Sequence, residues 1–216
     1  MNTAKHGFDE EISGRDRLIN AALELAAIKR SFADIGVREL TRAADLSPGA
    51  FYRHFADMDS LGQEVIHSVD RVLRVALTEA WDELEDISQV SRLSLRAYFR
   101  LVRRHENAFV VCARERYGAS TTLRRAMQKL QQGLARDLAR SLAHTPVFAR
   151  LPLANLEAAA LDVVEQVNIR MLDYVVADPG GRRDVRQSTE RFVRCHFAGL
   201  LVTATATKAD PSRKAA

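Results

Sequence analysis

Residues 37–55, VRELTRAADLSPGAFYRHF, carry the side chains with the clearest potential for chemistry. The segment predicts two short helices joined by a tight turn, and Ser47-Pro48 marks the start of the second helix. A serine hydroxyl can accept from the free N–H groups of a first helical turn, and proline at the first position loses no hydrogen bond. Arg53 and His54 end this short aromatic helix, which suits a helix that lies against the DNA major groove rather than one that only fills a core.

Two further elements must position this pair of helices. Residues 13–16, SGRD, form the pattern of a capping box, and apolar residues at helical spacing follow through Lys29: Leu18, Ala22, Leu25 and Ala26. Phe32 and Ile35 are predicted to close this first helix onto the next two, with Gly36 as a break. In the third helix, over 48–55, Phe51 and Phe55 share one face and are expected to pack inward. Tyr52, Arg53 and His54 then fall toward solvent.

The rest of the chain has helical periodicity and no convincing strand alternation. Asp57 or Asp59 is expected to cap a long helix over 59–84, with a stripe of Leu61, Val65, Val69, Val72 and Ala76. Further helices are predicted at 89–105 (Leu93, Ala97, Leu101), 107–117, 121–143, 155–177 and 183–206 (Phe192, His196, Gly199, Val202). The predicted fold is therefore all-α with about nine helices. It has a helix-turn-helix domain over 1–58, a helical effector-binding and dimerisation domain over 59–207, and a frayed tail over 208–216.

Composition narrows the class of protein. Of 216 residues, 47% are hydrophobic and only five are proline and ten glycine, which favours a helical protein with a sizeable core. We expect no signal peptide and no membrane span, because the start lacks an apolar run and no apolar stretch approaches about 18 residues. Cys112 and Cys195 lie inside helical patterns, so we expect two buried free thiols, with a disulfide or redox switch as the alternative. These features indicate a cytoplasmic protein.

Charge is distributed unevenly along the chain. Residues 1–60 hold eight basic and ten acidic residues, a net charge of −2, whereas residues 92–150 hold thirteen basic and three acidic ones, a net charge of +10. The first balance predicts modest non-specific affinity for DNA, because neutralised phosphates supply most of that affinity. The central surplus has two interpretations: solvated helix faces, or attraction of an anionic effector. The arginines concerned are Arg92, Arg96, Arg100, Arg103 and Arg104.

The last two predicted helices are apolar on more than one face, with small residues at Ala158, Ala159, Ala198 and Gly199. A helix that is hydrophobic on two sides must bury both. Two such hairpins related by a two-fold axis predict a four-helix interface in a homodimer. The alternative is an ordinary internal core.

The N-terminal unit resembles the TetR family of one-component transcriptional regulators over residues 15–61, through the run Phe51-Tyr52-Arg53-His54-Phe55 before an acid-capped helix. Shorter matches extend the resemblance to repressors of unsaturated fatty acid synthesis and desaturation. These matches are at residues 30–32 (RSF), 57–59 (DMD), 107–109 (NAF) and 114–116 (RER), with Gly118 and Ser120.

The resemblance implies roles for individual residues. It places Arg38 where a side chain reaches a base edge, which arginine reads at guanine O6 and N7. Pro48, Gly49 and Ala50 match positions nearest the groove floor, where small groups can contact thymine methyls. The remaining implied roles concern phosphates: Tyr52 and His54 bond them, Ser47 and Thr41 assist, and Arg53 contacts a base or a phosphate.

Three residues depart from the family pattern. Met58 stands where many relatives have a phosphate-binding lysine, which puts that contact in doubt. Asp45 replaces the usual glycine of the turn, although aspartate tolerates a left-handed backbone better than most residues. Val37 opens the second helix and has no side-chain oxygen with which to cap it.

The same resemblance suggests an acyl-coenzyme A effector, whose phosphates would seek arginines while its tail enters an apolar cavity. The residues predicted to line that cavity are Leu101, Phe109, Met127, Leu134, Val164, Val167 and Met171. Residues of these types at such positions are more often ordinary core than the lining of a pocket.

Signals for catalysis are weak. The six histidines are scattered, and none pairs with Cys, Asp or Glu at metal-ligand spacing. Cys195 and His196 are adjacent in the chain, so they point to different faces of a helix. We find no glycine-rich phosphate loop and no nucleophile elbow. The sequence therefore predicts neither an enzyme nor a metal site nor a bound cofactor.

These observations predict a homodimeric repressor that binds a palindromic operator in double-stranded DNA, with two heads in major grooves about 34–36 Å apart. Effector binding would change the angle of the long helix over 59–84, provided that the effector prefers one head spacing. The resemblance implies control of unsaturated fatty acid genes by acyl-coenzyme A. Two alternatives are a repressor that senses another lipophilic molecule and a helical lipid-binding protein without DNA function.

Overall fold

The computed structural model describes residues 13–29, 31–82 and 87–209. Within these ranges the chain is all-α, which confirms the predicted fold class. Residues 1–12, Arg30, 83–84 of the predicted long helix and 210–216 of the predicted tail lie outside the described ranges; 208–209 continue the last helix. The described helices are α1 (Gly14–Lys29), α2 (Val37–Ala43), α3 (Pro48–His54), α4 (Met58–Asp82), α5 (Ile87–Arg104), α6 (Glu106–Glu115), α7 (Thr121–Ala143), α8 (Leu153–Val176) and α9 (Pro179–Ala209).

Helices α1 to α3 form a three-helix unit, called the head below. Its first helix begins at the predicted capping box: the Asp16 N–H donates to Ser13 Oγ at 3.2 Å, and Ser13 Oγ donates to Asp16 Oδ2 at 2.7 Å. Its core consists of side chains from all three helices and from the 3₁₀ turn Phe32–Asp34: Leu18, Ala22, Ala26, Phe32, Leu40, Phe51 and Phe55. Phe51 and Phe55 therefore pack inward as predicted.

The turn between α2 and α3 depends on Asp45. Its φ of 53° is left-handed, a conformation that aspartate tolerates better than most residues other than glycine. Arg17 of α1 stabilises the turn, because its Nη2 donates to the Asp45 backbone oxygen at 2.9 Å and to Oδ2 at 3.1 Å. A charged side chain thus ties the turn to the first helix.

Helix α4 connects the head to the remaining helices. Asp57 caps it, since the Ser60 N–H donates to Asp57 Oδ1 at 2.7 Å. The predicted stripe is correct as far as Val69 and then wrong, because Val72 is 39% exposed. The buried stripe of α4 instead continues at intervals of four residues: Leu61, Val65, Val69, Leu73, Leu77 and Trp81.

The other helices build the core of the C-terminal domain. The predicted stripes of α7 (Leu123, Met127, Leu130, Leu134, Leu138) and α8 (Leu156, Ala160, Val163, Val167, Met171) are buried. The predicted core-facing residues of α5 and α9 are wrong. The core face of α5 is Leu95, Tyr98, Phe99 and Val102, and that of α9 is Thr189, Val193 and Phe197. Helix α9 also starts earlier than predicted, because Asp178 accepts from the Gly181 N–H at 2.7 Å and the helix runs through both glycines. No helix among those described is long and apolar enough to cross a membrane.

One buried carboxylate connects α6 to the head. Glu115 is fully buried, and its Oε1 accepts from Ser31 Oγ at 2.9 Å and from the Phe32 N–H at 2.8 Å. The neighbouring Arg114 donates from Nη1 to the Ala27 backbone oxygen at 3.1 Å. Gly118 leaves room for the carboxylate, since a Cβ at this position would lie 2.6 Å from Glu115 Oε2.

A second ionic contact joins α4 to α7. Arg74 Nε donates to Asp70 Oδ1 at 2.9 Å, and Arg74 Nη1 bonds to Asp137 of α7. The guanidinium crosses α7 directly over Gly133, where an added Cβ would collide with Nη2. The absence of a side chain at Gly133 therefore permits this cross-link.

We expect Gly133→Ala to lack the stabilisation of about 1 kcal/mol that alanine gives over glycine inside a helix, because the new methyl group displaces the Arg74 guanidinium from its contact with Asp137. Chemical denaturation measures this difference. The matched control is Gly49→Ala, where the nearest atom to the new Cβ is Ser47 Oγ at 3.9 Å; it should be stabilising. Equal stabilities for the two variants would contradict the proposed close contact.

Candidate nucleic-acid interface and apolar cavity

The head presents polar and basic side chains on the solvent side of α2 and α3. Tyr52 is 63% exposed. The other predicted DNA contacts that are exposed are Arg38, Ser47, Pro48, Gly49, Arg53 and His54. Two short helices thus bring together a phenol, two guanidinium groups and an imidazole, which can donate to phosphates and base edges.

Two of the predicted contacts are wrong as direct contacts. Thr41 is 1% exposed and its hydroxyl donates to the Arg38 backbone oxygen at 3.3 Å, so it supports α2 from within. Ala50 is 3% exposed and packs inside the head. Both follow from the crossing of two short helices, which buries one side of each.

Ser47 also differs from its prediction, because its side chain makes no capping hydrogen bond to α3. Its backbone oxygen accepts from the Ala50 N–H at 2.9 Å instead. The exposed hydroxyl is thereby left for a contact outside the head, which suits the phosphate role implied for this residue.

Arg42 is a candidate that the sequence interpretation missed. It lies four residues after Arg38 on α2 and is exposed, and side chains four apart share a helix face. Within the described part of the chain, Arg38, Arg42 and Arg53 form no ion pair. The spacing of the two α2 arginines was the signal that could have identified Arg42.

Three acidic residues beside α2 and α3 have partners within the described residues. Lys29 Nζ donates to Glu39 Oε2 at 2.7 Å, and this hydrogen bond lowers the pKa of Glu39 below its ordinary value. Asp45 pairs with Arg17, and Asp57 caps α4. The net charge of −2 over residues 1–60 therefore does not describe the face on which the three unpaired arginines lie. Met58 packs partly buried against the core, so it replaces a lysine by an apolar contact.

An apolar cavity lies between α4, α5, α7, α8 and α9. The space measures about 80 Å³, which is below the range of about 300–1,000 Å³ typical of small-molecule sites, so a ligand would have to move the surrounding side chains apart. Its lining is almost wholly apolar: Leu77, Trp81, Ser91, Ser94, Leu95, Tyr98, Leu134, Leu138, Val163, Val164, Val167, Val193 and Phe197. The Trp81 Nε1–H donates to Ser94 Oγ at 2.9 Å, which orients the indole.

A smaller cavity of about 30 Å³ lies beside the first and shares Tyr98, Leu134 and Val164 with it. Five of the seven predicted lining residues border one or both spaces: Phe109, Met127, Leu134, Val164 and Val167. Leu101 and Met171 line neither. Trp81, Tyr98 and Phe197 were missed, because periodicity alone cannot show which buried side chains surround a void.

Two side chains at the smaller cavity have unusual environments. The Tyr98 hydroxyl is buried and has no hydrogen-bond partner among the described residues, and burial raises its pKa. Burial, with a smaller effect from Glu115, also raises the pKa of the Cys112 thiol to about 12. Cys112 is thus a buried free thiol as predicted, whereas Cys195 is exposed, which corrects that part of the prediction.

The basic residues of α5 lie outside both cavities. Arg92, Arg96, Arg100, Arg103 and Arg104 are exposed, and none is among the lining residues. This placement favours the first interpretation, a solvated helix face.

The outer face of α8 and α9 exposes small and apolar side chains. Ala158, Ala198 and Gly199 are exposed together with Ile169, Leu172, Val176 and Val202. Ala159 is only 6% exposed, but it lines the groove between these two helices together with Ala158 and Gly199. An apolar surface on a helical pair is typical of a protein–protein interface.

The fold and these surfaces define a class, a helix-turn-helix transcriptional regulator with a helical C-terminal domain. The model of the bacterial regulatory proteins of the tetR family matches residues 18–65, and that of the tetracyclin repressor-like C-terminal domain matches residues 87–199. The second match alone spans more than half of the chain. The protein belongs to the TetR family, whose members are DNA-binding regulators and not enzymes.

Solved structures share this fold at low sequence identity. A putative TetR-family regulator from Syntrophomonas wolfei has a TM-score of 0.71 at 14% identity, over 84% of this chain and 93% of that one. FadR of Bacillus halodurans, a fatty acid degradation regulator, has a TM-score of 0.65 at 15% identity, over 92% and 97%. FadR of Bacillus subtilis in complex with stearoyl-CoA has a TM-score of 0.66 at 15% identity, over 82% and 96%.

Proposed function

We propose that this TetR-family protein is a cytoplasmic, homodimeric repressor of genes for unsaturated fatty acid synthesis and desaturation, controlled by fatty acyl-coenzyme A. The head, within residues 1–58, binds a palindromic operator, and residues 59–207 bind the effector and a second subunit. The observation that carries the proposal is the apolar cavity between α4 and α9, because it lies against the helix that continues from the head.

The proposed operator contacts are the exposed residues of α2 and α3. Arg38 reads a base edge, and Arg42, beside it on α2, contacts a phosphate or a base. Pro48 and Gly49 approach the groove floor, where the absence of a long side chain permits close contact. Tyr52, His54 and Ser47 donate to phosphates, and Arg53 contacts either a phosphate or a base edge.

Replacing Arg38 by Ala should weaken operator binding by about 1–3 kcal/mol and relax discrimination at one base pair.

Tyr52→Phe removes one phosphate-bonding hydroxyl, so it should weaken binding to strong and weak operator sites by a similar factor. Gel-shift titrations with operator variants from the DNA upstream of the gene measure both effects. Arg186→Ala, at an exposed arginine of α9, is the control. If Arg38→Ala kept full discrimination at every position, the base-reading role would be wrong.

The second subunit is proposed to cover the outer face of α8 and α9. The exposed Ala158, Ala198 and Gly199 permit close approach of helices, and the exposed apolar side chains of the same face gain burial in a dimer. Such a four-helix interface would hold the two heads in successive major grooves, about 34–36 Å apart.

Ala198→Glu should prevent dimer formation, because two carboxylates would be buried near the two-fold axis without partners. Light scattering after size exclusion should give the mass of one chain, 24.1 kDa, where the unaltered protein gives twice that value. Ala43→Glu places the same charge at an exposed alanine of α2 and should leave the dimer intact. A dimer that tolerates Ala198→Glu would place the interface elsewhere.

The structure also supports a route from the effector to the head. Helix α6 borders the smaller cavity through Phe109 and Cys112, and it contacts the head through Arg114 and Glu115. Helix α4 borders both cavities and continues from α3. A ligand that fills the cavities therefore contacts two helices that position the head, and it shifts the equilibrium if it prefers one head position.

Fatty acids with a coenzyme A head are proposed as effectors because the cavity lining is apolar and the fold is shared with regulators of fatty acid metabolism. Adding acyl-coenzyme A species of differing saturation to a labelled operator complex should change its stability in a manner that depends on the acyl chain. Trp81, the single tryptophan, lines the cavity and should change its emission as a tail enters. If no acyl-coenzyme A changed either the stability of the operator complex or the emission of Trp81, the effector assignment would be wrong.

One observation favours the alternative effector, another lipophilic small molecule. The lining of the larger cavity contains no charged side chain, so the cavity itself would accept an uncharged ligand. The same titration separates the two, since only acyl-coenzyme A requires a site for its phosphates. The lipid-binding protein without DNA function has less support, because residues 18–65 match the family's DNA-binding domain.

A further inference from the structure

A polar groove between α4 and α7 has no role in the functions discussed so far. It is lined by Gln63, Ile66, His67 and Asp70 of α4 and by Thr122, Arg125, Ala126, Lys129 and Leu130 of α7. Its volume is about 330 Å³. Unlike the cavities in the core, its wall is mainly polar.

The groove is positively charged where α7 borders it. Arg125 and Lys129 lie four residues apart on one face of α7 and are exposed. Within the described residues, neither lies within ion-pair distance of a carboxylate. The lining contains one acid, Asp70, whose Oδ1 accepts from Arg74 Nε at 2.9 Å. Two unneutralised cations thus face a space large enough for a ligand, with an acid already paired.

The other polar groups of the groove are hydrogen-bonding side chains. Gln63 and His67 project from α4 one turn apart, and Thr122 lies in the first turn of α7. Amide, imidazole and hydroxyl groups beside an arginine and a lysine are the donors with which proteins bind phosphate. The chemistry of the groove therefore fits a phosphorylated group better than a carbohydrate or a metal ion.

The groove adjoins the apolar cavities. Leu130 lines both the groove and the smaller cavity, and Tyr98, Leu134 and Val164 line both cavities. The three spaces therefore follow one another from Arg125 and Lys129 to Trp81, and the buried Leu130 side chain separates the groove from the smaller cavity. This order of a charged site followed by an apolar space matches a ligand with an anionic head and a long hydrocarbon tail.

We propose that the groove between α4 and α7 binds the phosphates of an acyl-coenzyme A whose tail enters the cavities beyond Leu130. The assignment rests on the proposed effector class and adds the place and the residues of its head group. It gives a function to part of the positive charge of residues 92–150 that the exposed arginines of α5 do not explain. It also places the bound phosphates against α4, next to the Asp70–Arg74–Asp137 contact.

The experiment compares two double variants with equal loss of charge. Arg125→Ala with Lys129→Ala removes the groove cations, and Arg92→Ala with Arg96→Ala removes two exposed arginines at the same spacing on α5. Oleoyl-coenzyme A and oleic acid are titrated into each full-length protein, and Trp81 emission reports binding. The two ligands share a tail and differ in the phosphate-bearing head.

The groove variant should bind oleoyl-coenzyme A at least about tenfold more weakly than the unaltered protein, because it lacks two charge-assisted contacts. Its affinity for oleic acid should be unchanged, and the α5 variant should bind both ligands as the unaltered protein does. Equal affinity of the groove and α5 variants for oleoyl-coenzyme A overturns the assignment of the groove. An unaltered protein whose Trp81 emission does not respond to oleoyl-coenzyme A instead overturns the proposed effector, and the assignment with it.

Discussion

The buried carboxylate of Glu115 is the contact on which the relation between the head and the C-terminal domain depends. A carboxylate loses its hydration when it is buried, so it must recover hydrogen bonds within the protein. Glu115 recovers them from Ser31 and Phe32, which belong to the head, while its own helix borders the smaller cavity through Cys112. Helix α6 cannot move away from the head without breaking the hydrogen bonds of the Glu115 carboxylate. A chemically demanding contact thus connects the two parts of the chain that the proposed function requires to communicate.

Much of the fold could be predicted because the signals are local. The capping box at Ser13 depends on side chains within a few residues and has the expected geometry, and the left-handed φ of Asp45 is one that aspartate tolerates. The stripes of α7 and α8 are regular because these helices are in the middle of the core. Helix α9 misled the interpretation because it is apolar on two faces. Periodicity finds both stripes but cannot tell which one faces its own domain, and Phe197 faces the core while Val202 is exposed.

The candidate site shows the same division between local and tertiary information. The aromatic helix α3 was recognisable from its own residues, and Tyr52 is exposed as expected. The burial of Thr41 and Ala50 depends on how α2 crosses α3, which no short motif encodes. The cavity was harder still to predict from the sequence, because a void between five helices depends on how all five pack against one another. The charge near the exposed arginines also could not be predicted from the sequence. The net charge of residues 1–60 is unfavourable for DNA binding, but Lys29 and Arg17 pair with the acids Glu39 and Asp45 beside those arginines.

Two buried polar atoms without partners in the described structure lie along the proposed route from effector to operator. One is the Tyr98 hydroxyl, which borders both cavities, and the other is Glu115 Oε2 at the head. An unsatisfied buried polar group costs about 1–3 kcal/mol, so a chain selected only for stability would replace a tyrosine here by phenylalanine. Departures from such rules are expected where function requires them. A ligand that offers an acceptor to Tyr98 recovers part of this energy, and a change in α6 that satisfies Glu115 Oε2 recovers more. Unused hydrogen-bonding capacity therefore lies on α5, beside the cavities, and at the end of α6 that contacts the head, and binding can use that capacity to favour one position of the head over another.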